Sequence, residues 1–241
     1  MILVLASQRD PGAAALVAGW AGARLLTPAD LSLPGWTLVA GPSSRTGRAP
    51  GRGIADGEGF TDDGVRCLVS LLAGVEPGDL SWIAEEHRDY VATEMTAFLG
   101  HWLATLEGRC LVAPSHASLA GPRPPTAVWA AAADLPMTGG AQPVTPAVVT
   151  VVGGEVFRVA GEGPAPSSEV RRHLVRMAVS HGVPLLSAVV DLGGRDALPR
   201  LHAVLPAPLA RTEPVRAAIR QLVDRTVPRL VGEPVREEVA S

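Results

Sequence analysis

His87, Glu94 and His101 fall seven residues apart, a spacing that puts all three on one face of a helix and suggests a metal set. Seven helical residues rise about 10.5 Å, so one helix cannot bring all three to a single ion. They read instead as a polar stripe beside the apolar residues Phe98 and Trp102. Glu85 and Glu86 read as charges favouring a helix amino terminus. His116 lies in a Pro/Ser stretch between Ser115 and Ser118, but no serine sits in a Gly-x-Ser-x-Gly elbow, so a hydrolase triad has no support. His173 and His181, eight apart, are too distant to share a ligand. Gly47, Gly51 and Gly53, with Arg45, Arg48 and Arg52, resemble a phosphate loop in composition only. They follow no clean strand and enter no helix, so they read as a solvated surface loop.

Absent residue types limit the chemistry further. All 21 basic residues are arginine, and neither lysine nor asparagine occurs. A Schiff base, a phosphate-loop lysine and a lysine general base are therefore impossible. Cys67 and Cys110 lie in strand-like segments and read as small buried apolar side chains.

The chain of 241 residues is long enough to bury a sizeable core as one large domain or two small ones. With 47% hydrophobic and 19% charged residues it has a globular composition. A net charge of −3 and 4% aromatic residues, with no basic stretch interleaved with aromatics, disfavour nucleic-acid binding. The apolar start Met1–Ala6 lacks a basic leader and meets Gln8, Arg9 and Asp10 at once, so neither a signal peptide nor a membrane span is expected. The cytoplasm is the default address.

The elements follow from periodicity. Ile2 to Ala6 reads as a strand, Gly12 to Trp20 as a helix, and Leu25–Leu26 and Trp36 to Ala40 as further strands. Gly41 to Gly59 reads as a surface loop, and Cys67 to Leu72 as a buried strand. Tyr90, Val91, Met95, Phe98, Trp102, Leu103 and Leu106 recur at helical spacing, in a helix capped by Asp79 or Ser81. Cys110 to Ala113 reads as a strand and Thr126 to Asp134 as a helix. Beyond Pro136–Pro146, Ala147–Val152 and Glu155–Val159 flank the hairpin turn Gly153-Gly154. A helix capped by Ser168, strands over Pro184–Asp191 and Arg200–Leu205, and a helix from Glu213 complete the order.

This order resembles the ATP-grasp superfamily, in particular the ribosomal-protein-modifying glutamate ligases and the microviridin-type cyclising ligases. The first half resembles a pre-ATP-grasp domain through His87-Arg88-Asp89-Tyr90-Val91-Ala92-Thr93-Glu94, then Leu111-Val112-Ala113-Pro114. Val151-Val152-Gly153-Gly154-Glu155-Val156-Phe157 is similar to the family's later hairpin. Ser187 to Pro208 is similar to its metal-binding strand pair. The resemblance implies an α/β protein: a parallel-sheet pre-ATP-grasp-like domain over residues 1–136, then a reduced α+β ATP-grasp-like part over 137–241 lacking the lid subdomain.

The resemblance also locates the departures. Ala203 and Leu205 stand where the family has Glu and Asn, and Asp191 alone matches the upstream acid. Mg²⁺ needs hard oxygen ligands in near-octahedral geometry, which alanine and leucine do not supply. The resulting expectation is a non-catalytic protein without cofactor: a partner, scaffold or substrate-binding module, working with a protein partner or as a homodimer and able to take a small-molecule or peptide ligand. Arg66, Arg88, Glu94 and Asp191 are its candidate ligand contacts, with no catalytic or metal residue. The alternatives are an ATP- and Mg-dependent carboxylate–amine ligase with relocated catalytic groups, and a small-molecule domain built on a single continuous sheet.

Overall fold

A computed structural model describes residues 1–39, 50–106, 108–137, 146–161, 165–192 and 199–230. Its first strand, β1 (Ile2–Leu5), is buried along its whole length, as expected of a strand covered on both faces. It lies in parallel between β2 (Ala23–Leu26), which is followed by the short helix α2 (Pro28–Leu31), and β5 (Cys67–Ser70), with Ile2 level with Ala23 and Cys67. Cys110 adds one parallel bridge beside Leu68 where a full strand is expected.

Alternation across β1 creates two cores. Ile2 and Val4 point into one, Leu3 and Leu5 into the other. The second core lies beneath α3 (Arg88–Thr105) and contains Leu99, Trp102 and Leu103. The indole of Trp102 donates to the buried carboxylate of Asp62 at 3.0 Å, and Trp36 packs edge-on against both Trp102 and Phe98. These contacts fix α3 on the sheet. Tyr90, expected on the buried face, is 69% exposed. The helix also starts later than expected, because short 3-10 turns at Pro77–Asp79 and Glu85–His87 occupy the preceding residues.

The stretch expected to be a plain loop carries a hairpin, β3 (Arg52–Ala55) and β4 (Glu58–Thr61). Its turn is Asp56-Gly57, both at positive φ, the backbone that a tight hairpin demands. Arg45 and Arg48 lie outside the described residues.

The second half is antiparallel. Strands β6 (Pro146–Val152), β7 (Glu155–Gly161), β8 (Leu185–Asp191) and β9 (Arg200–Val204) lie in the order β7-β6-β8-β9. The Gly153-Gly154 hairpin forms as its sequence predicts. Residues 134–145 separate α4 (Thr126–Ala133) from β6 in the sequence. Helices α5 (Ser168–Ser180) and α6 (Glu213–Leu230) pack against this sheet. The sheets are separate, which is not the single continuous sheet of a plain small-molecule domain.

The first core is continuous across both halves. It joins Ile2, Val4 and Val69 to Val149, Val151, Ile219 and Val223. Helix α6 contacts α1 (Pro11–Val17), β5, β6 and β7. Arg220 donates to the backbone carbonyls of Ala15 and Leu16, supplying partners at the carboxyl end of α1.

Candidate functional site

The chain leaves β1, forms α1 and enters β2 on one side, then crosses to β5 on the other. Open parallel sheets bind ligands outside the carboxyl ends of their strands where the chain changes direction in this way. A cleft of about 530 Å³ opens there. One wall is the Ser7–Gly12 loop, and the other is Leu209, Arg211 and Arg216 from the second half.

Close contact between the halves shapes this cleft. A β-carbon at Gly12 would lie 2.9 Å from the Ala210 carbonyl oxygen, so no side chain fits at the start of α1. Asp10 caps that helix by accepting from the Gly12 amide at 2.8 Å. On the far side, a buried ring of hydrogen bonds holds Leu209. Its amide donates to Ser187 Oγ at 2.9 Å, Ser187 meets Thr150 Oγ1 at 2.6 Å, and Thr150 donates to the Leu209 carbonyl at 3.1 Å. Both hydroxyl residues are fully buried, and the ring satisfies them.

Three guanidinium groups face this space. Arg9 donates through Nε to Asp79 Oδ1 at 3.1 Å and pairs with Glu76 at 3.4 Å. Arg216 pairs with Glu213 at 2.9 Å and also donates to the Arg211 carbonyl. The hydrogen bond from Arg216 holds the Glu213 carboxyl below its ordinary pKa, with the nearby charges of Arg216 and Arg220 adding to the effect. Arg211 is exposed and has no acidic partner among the described residues. Planar, forked guanidinium groups suit carboxylate or phosphate oxygens.

The residues singled out from sequence stand elsewhere. Arg66 precedes β5 at the amino-terminal edge of the parallel sheet, where its amide donates to the Met1 carbonyl at 2.9 Å. Arg88 is bound by its own approach loop, donating to the carbonyls of Ile83 at 2.9 Å and Ser81 at 3.4 Å. Glu94 is exposed on α3. Asp191 ends β8, 8% exposed, level with Pro146 and Arg200. Arg88 and Glu94 share a helix, while Arg66 sits just before β5 of the parallel sheet and Asp191 at the end of β8 in the antiparallel one; none of the four lines the arginine cleft. Arg9, Arg211 and Arg216 carry no motif that marks them in the sequence, although the strand-then-loop pattern Ile2–Pro11 marks the place.

In the strand pair that resembles the family's metal-binding strands, Ala203 lies opposite Val189, and the Leu205 amide donates to the Ser187 carbonyl at 2.8 Å. Among the described residues no three His, Cys, Asp or Glu side chains converge as a metal set. Among the same residues, no helix is long and apolar enough to cross a membrane.

No family model matches the sequence, and no curated protein matches it. Solved structures do. The macrocyclase MdnC from Microcystis aeruginosa, bound with precursor peptide MdnA, superposes with a TM-score of 0.66 at 9% identity, over 92% of this chain and 98% of that one. A Chryseobacterium gregarium RiPP-associated ATP-grasp ligase, in complex with ADP and a leader and core peptide, gives 0.57 at 7% identity, over 98% and 97%. The ATP-grasp ligase PsnB, complexed with minimal precursor, Mg and ADP, gives 0.54 at 16% identity, over 93% and 98%. The likeness is one of architecture, and on it the chain has an ATP-grasp-like fold.

Proposed function

We propose that this protein is a non-catalytic, ATP-grasp-like binding module of a peptide-biosynthesis pathway, which holds a carboxylate-bearing peptide in the arginine cleft and presents it to a partner enzyme. The register of β8 and β9 carries the non-catalytic reading. Ala203 faces Val189 where the resemblance calls for an acid, and a methyl group offers a metal no oxygen. The peptide ligand is taken from the similar structures that hold precursor peptides. The reading divides the chain into a cleft-bearing part, residues 1–136, and a closing part, 137–241. It places the protein in the cytoplasm beside its partner or as a homodimer, with Arg66, Arg88, Glu94 and Asp191 as secondary contacts outside the cleft.

Calorimetry tests this reading. Glutarate, a stand-in for an acidic side chain, is expected to bind wild-type protein and to lose that binding in Arg211→Glu. Mg-ATP is expected to give no micromolar binding; if it does bind so tightly, the non-catalytic reading fails.

The arginine cleft also favours a second reading, a ligase that uses guanidinium groups in place of lysines around ATP. That reading requires ATP hydrolysis stimulated by a carboxylate and abolished in Asp191→Asn or Arg211→Ala.

A further inference from the structure

A second cleft, of about 790 Å³, opens beside the first at the carboxyl end of β5. One wall is a stripe of α3 carrying Asp89, Thr93, Ala97, Gly100 and Ala104, residues spaced to lie on one helix face. The Pro114–Leu119 turn forms the other wall. A β-carbon at Gly100 would stand 3.7 Å from Leu119, at ordinary van der Waals contact, so the two walls come within reach of each other there without clashing. Thr93 and Thr96 spend their hydroxyls on α3 carbonyls at 2.9 and 2.8 Å, and Ser115 spends its own on Gly121 at 2.9 Å. The side chains left to a ligand are exposed: Asp89, His101 and His116.

The ridge between groove and arginine cleft is a single turn, Val75–Asp79. Val75 and Pro77 line the groove, while Glu76 and Asp79 hold Arg9 on the other side. Asp79 is 1% exposed and anchors the turn. It accepts from Ser7 Oγ, from Arg9 and from the Glu76 amide, and its carbonyl accepts from Gln8. Arg9 lies flat across Gly78. A β-carbon there would stand 2.7 Å from its Nη1 and 3.0 Å from its Cζ. The guanidinium therefore caps the ridge that both clefts share.

We propose that the two clefts are one composite site for an extended acidic peptide. Its carboxylate lies between Arg9 and Arg211, and the adjoining small residues run over Gly78 into the α3 groove. This rests on the arginine-cleft reading above. Charge selects the occupant: the guanidinium pair takes the acid, and the short side chains of α3 let a peptide backbone approach closely. Arg9 serves both parts, and Asp79 and Gly78 are positioning residues that set its guanidinium.

Random 12-residue peptides carrying one fixed glutamate are selected on the full chain, and the best is measured by calorimetry against variants with unchanged melting temperature. Arg211→Glu and Ala97→Trp are each expected to weaken the same peptide at least about tenfold. Gly78→Ala, which displaces the Arg9 guanidinium without touching the groove, is expected to weaken it about threefold while leaving glutarate binding measurable. Should Ala97→Trp not fold, Thr93→Phe fills the same groove. Loss in Arg211→Glu with full affinity in the groove-filling variant overturns the composite site and leaves the arginine cleft standing. Insensitivity to both overturns the two readings together. Failure to select any peptide overturns the composite site, and the glutarate titration then decides whether the arginine cleft falls with it.

Discussion

The carboxyl end of β1 and the β8–β9 pair are both strand ends beside an acidic residue, yet the chain finishes them in opposite ways. At β1 the backbone turns out into Ser7–Gly12, and three arginines meet an open cleft, two of them steadied from behind by carboxylates. Beneath β8 and β9 the polar groups turn inward. Ser187 and Thr150 use their hydroxyls on each other and on Leu209, and alanine faces valine across the strands. Polar groups satisfied internally hold backbone in place. Charged groups left at a strand end are available to a ligand. The inward ring also serves the outward site, because Leu209, which it pins, is part of the cleft wall.

The strongest way to break this contrast is Asp79→Ala. It removes a buried acceptor used by Ser7, Arg9 and the Glu76 amide, and is expected to cost about 3 kcal/mol in denaturant unfolding and to abolish glutarate binding. If stability falls while binding survives, Arg9 does not belong to the site. Ser187→Ala is next. It leaves the Leu209 amide and Thr150 short of a partner in a dry interior, for an expected loss of about 2 kcal/mol. Binding should weaken only as the Leu209 wall loosens. A variant as stable as the parent would show that the hydroxyl ring is not holding that wall.

Alkaline melting sharpens the comparison from beneath the cleft. Burial pushes the Cys67 and Cys110 thiols up to about 12 from an ordinary 9.0. A thiol whose pKa rises on folding supports the native state while protonated. Its contribution is whole below pH 9 and is lost as pH climbs from 9 toward 12. Each cysteine should remove about 1.4 kcal/mol per pH unit across that window. A Cys67→Ala, Cys110→Ala double variant should flatten the decline, and an equally steep decline in that variant would assign it to other groups. The smallest effect on stability is expected from Arg211→Ala, whose exposed side chain has no acidic partner among the described residues. Its melting temperature should match the parent while glutarate affinity falls about tenfold. Unchanged affinity would remove Arg211 from the site.

Patterning made much of the fold legible. Ile2–Leu5, Cys67–Ser70 and the Gly153-Gly154 hairpin announce themselves through unbroken apolar runs and a turn that only glycine fills easily. The β3–β4 hairpin was hidden, because its strands are four residues each and glycine-rich, and the signal lay in the pair Asp56-Gly57. Cys110 was over-read, since one bridge beside Leu68 needs the same apolar residue that a strand does. The cleft was the least legible part. Arg9 and Arg211 lie some two hundred positions apart and become neighbours only because α6 carries the second half back onto α1 and β5. Asp79 reads in sequence as a helix cap, and its grip on Ser7 and Arg9 is visible only in three dimensions. Resemblance points to residues before β5, on α3 and on β8, whereas the arginines converge where strand order reverses.

Helix α6, wedged between the sheets with Arg220 fastened to the end of α1, carries a kinetic consequence. Two lobes sharing one dry interior cannot swing apart without exposing it, so the recess stands ready-made before any guest arrives. Docking should therefore proceed in a single bimolecular phase whose rate rises linearly with guest concentration, free of the slow closing step that a jawed architecture imposes.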